Sequence, residues 1–322
     1  MKPKVCIIFT GGTISMTVDK EIGAAIPTLS GEQILSMVSN INKIADIEVI
    51  NFSELPGPHI TFDKLFELRQ VILDKLNDTE ITGVILTHGT DTLEESAYFL
   101  DLTLNHSKPL VVTGAMRNSQ ELGYDGSSNL AAAVCTVISE NALNKGVLVV
   151  LNNVVNLASE VTKTNTLSLD TFKSPYGKIG IIDNNDLILY RNIAKRQYIN
   201  TDKIQKNVDL IKVAMDMDDA LIKFSVDNGA KGLIIEGMGR GNLPPKVLRG
   251  VKYALKKDVL VVVVSRCHAG RVFCSYGYEG GGKELMDLGV IMGGEMSGPK
   301  ARIKLMLALG AQLSKEAINK LF

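Results

Sequence analysis

The amino-acid sequence predicts an α/β protein of two domains: a larger N-terminal domain, with a mostly parallel sheet flanked by helices and closed by a hairpin, and a smaller C-terminal parallel α/β domain. The chain has 322 residues, 45% of them apolar, which is long for one domain and sufficient for two cores. Short apolar runs typical of buried strands alternate with segments of helical period. A polar stretch at 191–207 lacks any period, so we expect domains at 1–190 and 208–322 joined by a linker at 191–207.

Strands and helices alternate along the N-terminal domain, which predicts parallel strands with right-handed crossovers. The predicted strands are residues 5–9, 47–52, 83–86, 110–113 and 147–151. The predicted helices are one that begins at Ser30 with an apolar stripe as far as Ile41, one capped by Thr61, and residues 93–104 and 126–141. Residues 17–28 have no convincing period and are interpreted as a mobile surface loop. Residues 180–190 are predicted to form the closing hairpin, because four Asp and Asn residues separate two apolar runs.

The C-terminal domain shows the same alternation on a smaller scale. Its predicted strands are residues 208–215, 232–236, 259–265 and 290–292, and its predicted helices are residues 218–228, 245–256 and 299–313. Proline at the start of the last helix suits the first helical turn, where its missing N–H costs nothing.

Charge and composition limit the class of ligand. Lys plus Arg equals Asp plus Glu at 35 each, so no net field attracts nucleic acid. Tryptophan is absent and aromatic residues make up 5%, which leaves little material for stacking bases. The N-terminus has no signal-peptide pattern and no apolar run reaches the roughly 20 residues of a membrane span, so we expect a cytoplasmic protein. The four cysteines lack metal-ligand spacing, and neither a metal nor a cofactor is expected.

Two predicted strand ends carry threonine and glycine residues. The first strand runs into Thr-Gly-Gly-Thr at 10–13, and the third into Thr-His-Gly-Thr-Asp-Thr at 87–92. Because ligands bind at the carboxyl ends of parallel strands, we expect both turns to face one pocket. By itself the first turn can also be a tight turn or a phosphate nest, although neither glycine-rich phosphate motif is completed. Asp91 by itself also suits the N-cap of the following helix.

Residues 160–166, Glu-Val-Thr-Lys-Thr-Asn-Thr, place Lys163 among hydroxyl side chains. A buried lysine with a lowered pKa can act as a base, whereas most lysines are simply solvated. Taken together, residues 10–14, 87–92 and 161–166 resemble the bacterial-type L-asparaginases. The resemblance spans nearly the whole chain, with further support from residues 94–103, 112–117 and 300–305.

The resemblance implies that Thr13 attacks the side-chain amide of L-asparagine and forms an acyl-enzyme, which water hydrolyses to aspartate. It also implies that Lys163 takes a proton, that Thr90 relays it or activates water, and that Asp91 holds the lysine and the α-ammonium group of the substrate. The residues that the resemblance assigns to substrate binding are Gly12, Gly57, Pro58, His59, Gly89 and Ala115. Members of this family form homodimers or homotetramers, and we expect the same here.

The sequence departs from the family pattern at two places. Many members carry a tyrosine in the loop after the glycine turn, but no tyrosine occurs between Thr13 and Asn51. Tyr278 is the first candidate to replace it, and an ordinary aromatic residue beside a flexible glycine run is an equal alternative. The family often has serine and glutamine where this chain has Gly57 and Pro58, so the backbone of Gly57 or the His59 imidazole is expected to hold the substrate carboxylate.

Two further assignments and several rival functions remain open from sequence alone. Glu279 is a candidate for the acidic residue that family members lend across a subunit interface. His88 is interpreted as structural, because its neighbours supply the chemistry. The rival functions are a glutaminase-asparaginase, an ammonia-supplying amidotransferase subunit, and a non-catalytic asparagine-binding protein or sensor. Asparagine and glutamine differ by one methylene group, which is worth only about 1–3 kcal/mol in a pocket.

Overall fold

The computed structural model describes residues 2–192 and 196–322, which form two compact units, Met1–Tyr198 and Ile199–Phe322. The predicted two-domain α/β class is confirmed: the first unit contains an eight-stranded, mostly parallel sheet and the second a four-stranded parallel sheet. Of the predicted linker at 191–207, residues 193–195 lie outside the described residues. The proposed domain limits at 190 and 208 stay a prediction.

The first unit contains twelve of the strands and five of the α-helices found in the described residues. The strands are β1 (Lys4–Gly11), β2 (Met16–Asp19), β3 (Ala24–Pro27), β4 (Asp46–Leu55), β5 (Ile81–Thr87), β6 (Leu110–Thr113), β7 (Val147–Leu151), β8 (Val154–Leu157), β9 (Thr162–Lys163), β10 (Phe172–Lys173), β11 (Gly180–Asp183) and β12 (Asp186–Leu189). The helices are α1 (Gly31–Ser36), α2 (Ile41–Ile44), α3 (Phe62–Asn77), α4 (Leu93–Thr103) and α5 (Gly126–Ile138), and single 3₁₀ turns lie at Thr13–Ser15, Gly57–His59 and Glu140–Ala142.

The large sheet brings the carboxyl ends of β1, β5 and β6 to one edge. Its order is β12-β11-β8-β7-β6-β5-β1-β4, with parallel pairing from β4 to β7 and antiparallel pairing from β7 to β12. Phe9 of β1 pairs with Thr87 of β5, which in turn pairs with Thr113 of β6. Both faces of these strands are buried, which explains their continuous apolar runs. Three polar segments therefore leave the sheet side by side.

The closing hairpin is confirmed by the antiparallel pairing of β11 with β12, but two predictions for this unit are wrong and strand β8 was not predicted. Residues 17–28 lie almost entirely in the hairpin β2–β3, whose turn is held by the Asp19 carboxylate. Neither strand has a buried residue, so the hairpin shows little apolar period. The helix that begins after Ser30 ends at Ser36, and Asn40, with φ 63°, separates it from α2. Strand β8 returns antiparallel to β7 after left-handed Asn152 and Asn153.

The second unit is a parallel sheet in the order β13-β14-β15-β16 with helices on it. Its elements are β13 (Val208–Lys212), α6 (Ala220–Asp227), β14 (Gly232–Gly237), α7 (Pro245–Lys256), β15 (Leu260–Ser265), α8 (Gly282–Asp287), β16 (Ile291–Met292), α9 (Gly298–Gly310) and α10 (Lys315–Leu321). The predicted last helix stops early because Gln312 is left-handed, with φ 55°, and Ser314 then caps the unpredicted α10. Among the described residues, no helix has the length and apolar character needed to cross a membrane.

Candidate active site

The turn that follows β1 is bonded to both neighbouring strands. The Thr10 hydroxyl donates to the Thr87 carbonyl at 2.7 Å, and the Ser53 hydroxyl donates to the Thr10 carbonyl at 2.9 Å. The Gly12 amide donates to the Leu55 carbonyl at 3.1 Å. These bonds hold the glycine pair between the ends of β4 and β5, so the turn is a rigid part of the sheet edge.

Three of the predicted binding residues, Gly12, Gly57 and Gly89, meet backbone to backbone. A methyl group built on Gly12 would lie 2.5 Å from the Cα atom of Gly89, and one built on Gly89 would lie 2.6 Å from the Gly57 nitrogen. Carbon atoms do not approach so closely, and Gly12 also has a φ of 80°, which disfavours any side chain. Glycine is therefore required for these three turns to touch.

Thr13 begins a 3₁₀ turn that closes on the carbonyl of Gly12. The Ser15 amide and hydroxyl both donate to that carbonyl, at 3.0 and 2.8 Å. Thr13 itself is half-buried, and its hydroxyl has no hydrogen-bond partner within the described part of the chain. This leaves the Thr13 hydroxyl available to a ligand at the sheet edge.

Lys163, Thr90 and Asp91 form one hydrogen-bonded cluster. The Lys163 Nζ donates to the Thr90 Oγ1 at 3.0 Å and to the Asp91 Oδ1 at 2.7 Å. Thr90 is buried, the Lys163 side chain is 17% exposed, and the Asp91 side chain is 66% exposed. An amine between a buried hydroxyl and an open carboxylate can exchange protons with the hydroxyl while the carboxylate balances its charge.

The alternative interpretation of Asp91 as a helix cap is wrong. Helix α4 has Thr92 at its N-cap position, and the Asp91 carboxylate lies on Lys163 instead. The Thr92 hydroxyl also does not cap the helix, because it donates to the Gly57 carbonyl at 2.8 Å. The start of α4 is thereby tied to the 3₁₀ turn Gly57–His59.

Glu94 supports Lys163 and was not among the predicted site residues. Its buried carboxylate accepts the Thr162 hydroxyl at 2.6 Å and the Lys163 backbone amide at 2.5 Å. A buried carboxylate is stable only when its oxygens are hydrogen-bonded. The sequence signal for Glu94 was a charged residue in the mostly apolar helix α4. Its partners, Thr162 and Lys163, lie far along the chain, so this signal could not identify them.

The loop after β6 is held by Asp125 and Asn129, which were also not among the predicted site residues. The Asp125 carboxylate accepts the Met116 amide at 3.0 Å, and the Asn129 side chain donates to the Gly114 carbonyl at 2.9 Å. These bonds position Ala115, which is fully buried.

The loop after β6 also contacts the turn after β5. A methyl group on Gly114 would lie 2.5 Å from the His88 carbonyl oxygen and 3.4 Å from the Thr90 side chain. The backbone N–H groups of Thr90 and Ala115 donate to no acceptor among the residues that the structure describes. Two unused donors on adjoining turns can stabilise an oxygen that gains negative charge.

His88 is fully buried within the second motif. Its Nδ1 lies 2.8 Å from the Gly89 carbonyl oxygen, and burial lowers the pKa of the imidazole. The ring is therefore neutral at neutral pH and bonds to the carbonyl of a glycine in the three-way contact. This geometry agrees with a structural interpretation of His88.

The other predicted site residues lie on the surface of their units. Pro58 and His59 are exposed in the 3₁₀ turn that begins at buried Gly57. Tyr278 and Glu279 are exposed in the second unit, where the Tyr278 ring lies 5.6 Å from that of Tyr276. The roles of these four residues stay predictions.

A mostly parallel sheet whose strand ends carry Thr90 and Asp91, with Lys163 of β9 bonded to both, defines an α/β protein with a cluster of polar side chains at that edge. The family model described as "Asparaginase, N-terminal" matches residues 4–195, and the model described as "Glutaminase/Asparaginase C-terminal domain" matches residues 207–322. The chain therefore belongs to the asparaginase family.

Individual relatives agree with this assignment over nearly their whole length. An L-asparaginase of Bacillus licheniformis is 36% identical, covering 100% of this chain and 99% of that protein. L-asparaginase 2 of Bacillus subtilis is 34% identical over 99% of this chain and 86% of that protein. The crystal structure of a probable cytoplasmic L-asparaginase from Campylobacter jejuni matches with a TM-score of 0.88 and 32% identity, covering 99% of this chain and 98% of that one.

Proposed function

We propose that this protein hydrolyses the side-chain amide of L-asparagine to give L-aspartate and ammonia. The observation that carries the proposal is the Lys163 amine, which lies 3.0 Å from the Thr90 hydroxyl and 2.7 Å from the Asp91 carboxylate. The contact between Gly12 and Gly89 brings the turn of Thr13 against the turn of Thr90. Membership of the asparaginase family supports the same substrate class.

In the first step, the Thr13 Oγ attacks the amide carbon, and its proton passes to the departing nitrogen. The C–N bond breaks, ammonia leaves, and the aspartyl group remains on Thr13 as an ester. In the second step, water attacks the ester carbon, the C–Oγ bond breaks, and a proton returns to Thr13. Splitting the reaction in this way replaces one difficult step by two easier ones.

Lys163 and Thr90 supply the proton transfers in this proposal. The hydrogen bond between Lys163 and Thr90 provides a path from the attacking hydroxyl or water to an amine. Asp91 balances the charge on Lys163, and its exposed oxygens are suited to the α-ammonium group of asparagine. The amides of Thr90 and Ala115 stabilise the developing oxyanion, each by about 3 kcal/mol.

The α-carboxylate of the substrate is assigned to the turn that begins at Gly57, with its backbone or the His59 imidazole as donor. We further propose a cytoplasmic homodimer or homotetramer in which Tyr278 or Glu279 completes a site at the subunit interface. Sedimentation equilibrium tests the proposed assembly. A protein that is monomeric at the concentration used in the activity assay, and is fully active there, would contradict it.

The direct test is ammonia release from L-asparagine by the purified protein and by the Thr13→Ala variant. Thr17→Ala is the matched control, since the Thr17 hydroxyl meets Thr28 at 2.8 Å in the β2–β3 hairpin. We expect the wild type and Thr17→Ala to release ammonia and Thr13→Ala to lose nearly all activity. If the wild type binds asparagine but releases no more ammonia than Thr13→Ala, the protein is a binding protein or sensor. Labelling by a reactive asparagine analogue at any residue except Thr13 would refute the assigned nucleophile.

The same assay separates the rival enzymes. Comparable kcat/KM values for L-glutamine and L-asparagine indicate a glutaminase-asparaginase. Ammonia that appears only when a partner subunit and an acceptor are present indicates an amidotransferase subunit. The main proposal predicts that asparagine alone suffices and is the better substrate.

A further inference from the structure

Tyr124 contacts the turn that carries Thr13. Its hydroxyl donates to the Ile14 carbonyl at 3.0 Å, across 110 residues of sequence. Ile14 follows Thr13 directly and lies in the middle of the 3₁₀ turn Thr13–Ser15. Burial raises the pKa of the Tyr124 phenol, so the hydroxyl keeps its proton and remains a donor at neutral and moderately alkaline pH.

The Tyr124 ring lies across the first residue of α5. A methyl group on Gly126 would lie 2.2 Å from the Tyr124 hydroxyl oxygen and 2.3 Å from the carbon that bears it. The Tyr124 amide also donates to the Glu121 carbonyl at 3.2 Å. The ring therefore occupies a space that exists because residue 126 has no side chain.

The loop that ends at Tyr124 makes further bonds to the same segment. The Ser119 hydroxyl donates to the Met16 carbonyl at 3.0 Å, and the Val18 amide donates to the Gln120 side chain at 2.8 Å. The loop begins directly after Ala115, whose amide is a proposed oxyanion donor. The loop thus connects the proposed oxyanion donor to the turn of the proposed nucleophile, and Tyr124 makes the bond closest in sequence to Thr13.

We propose that Tyr124 is a positioning residue, whose hydroxyl fixes the Ile14 carbonyl and thereby the direction of the Thr13 hydroxyl relative to Ala115. The proposal rests on the proposed function, since it takes Thr13 as the reacting residue. No tyrosine occurs between Thr13 and Asn51, and Tyr124 brings a tyrosine hydroxyl to the backbone of the nucleophile's turn from another loop. Tyr124 acts through the backbone of Ile14 and is not itself assigned to the proton transfers.

The test compares Tyr124→Phe with Ser119→Ala, which removes one hydrogen bond from the same loop to the same segment. For asparagine hydrolysis by Tyr124→Phe we expect kcat to fall about 10- to 100-fold, with KM within about threefold, because a misplaced nucleophile slows chemistry more than binding. Ser119→Ala should keep kcat within about twofold, since Thr13 retains the Tyr124 bond. Amide hydrogen exchange in a peptide spanning residues 13–16 should accelerate in Tyr124→Phe and stay unchanged in Ser119→Ala.

Gly126→Ala provides a second variant, which keeps the Tyr124 hydroxyl but displaces the ring. We expect Gly126→Ala to show the same loss of kcat as Tyr124→Phe. The double variant should show little further loss, because each single change already removes the hydrogen bond from Tyr124 to the Ile14 carbonyl.

Three outcomes overturn the proposal: unchanged exchange at residues 13–16 in Tyr124→Phe, an unchanged kcat, or an equal fall of kcat in Ser119→Ala. The exchange measurement does not depend on hydrolysis. If the wild type releases no ammonia, the proposed function fails by itself, and the role of Tyr124 as the contact that orders this turn is supported or overturned by exchange.

Discussion

Glu94 and Thr162 are 68 residues apart, yet the Thr162 hydroxyl donates to the Glu94 carboxylate at 2.6 Å. The same carboxylate accepts the amide of Lys163. Strand β9 has only two residues and pairs with β10, which is equally short. The buried Glu94 carboxylate therefore fixes the position of the Lys163 backbone.

Glu94→Gln should lower kcat about tenfold and the free energy of unfolding by about 1–3 kcal/mol, because an amide presents a donor where two donors already point. Stopped-flow kinetics and urea unfolding measure the two effects. Glu67→Gln is the control, since Glu67 is an exposed partner of Lys64. A double-mutant cycle with Thr162→Val should show non-additivity in the free energy of unfolding, and strictly additive effects would contradict the assigned contact.

Lys163→Met should lower kcat/KM about 100- to 10,000-fold, the usual contribution of a positioned acid or base. Lys163→Arg should not restore activity, because a guanidinium group does not release its proton. Lys173→Met is the matched control on the paired strand β10, where Lys173 meets exposed Asp170. Retention of most activity by Lys163→Met would remove the lysine from the mechanism, whereas partial rescue by methylamine would support it.

Gly89→Ala should abolish most activity and destabilise the first unit by about 1–3 kcal/mol, as overpacking does. The reason is steric, since the added methyl group would lie 2.6 Å from the Gly57 nitrogen. Gly277→Ala is the control, because a methyl group there meets no atom within 4 Å in the described structure. Thermal unfolding and ammonia release are measured for Gly89→Ala, and an equal unfolding temperature in the two variants would refute the tight contact.

The free energy of unfolding should rise at alkaline pH because of Lys304. Its Nζ donates to the Leu321 carbonyl at 2.7 Å and lies 5.0 Å from the Phe322 ring. Burial lowers the pKa of this amine from 10.5 to about 8. Between these two values the unfolded chain binds more protons than the folded one, so the free energy of unfolding rises with pH.

Between pH 8 and 10.5 the free energy of unfolding of the wild type should rise by up to about 3 kcal/mol relative to that of Lys304→Met. Denaturant unfolding measures this difference. Lys320→Met on α10 serves as the exposed control and should follow the wild type. A difference between wild type and Lys304→Met that stays constant over this pH interval would show that Lys304 does not titrate there.

Much of the fold could be predicted because the relevant signals are local. Buried parallel strands give continuous apolar runs, and Thr61 caps α3 by accepting the Lys64 amide within four residues of sequence. The elements that were missed lack such signals: the two-residue strand β9 and the short helix α8 donate hydrogen bonds to residues far along the chain, Glu94 and Asn242.

The sequence by itself determined the alternation of strands and helices, the polar turns at 10–13 and 87–92, and the family resemblance that singled out Lys163. Only the tertiary structure decided that Asp91 binds Lys163 instead of capping α4, that Glu94 holds β9, and that Tyr124 reaches Ile14. The physical reason is the distance along the chain over which each interaction acts. Backbone preferences and apolar period act over a few residues, whereas these contacts join residues 69 to 110 positions apart and depend on strand register and loop path.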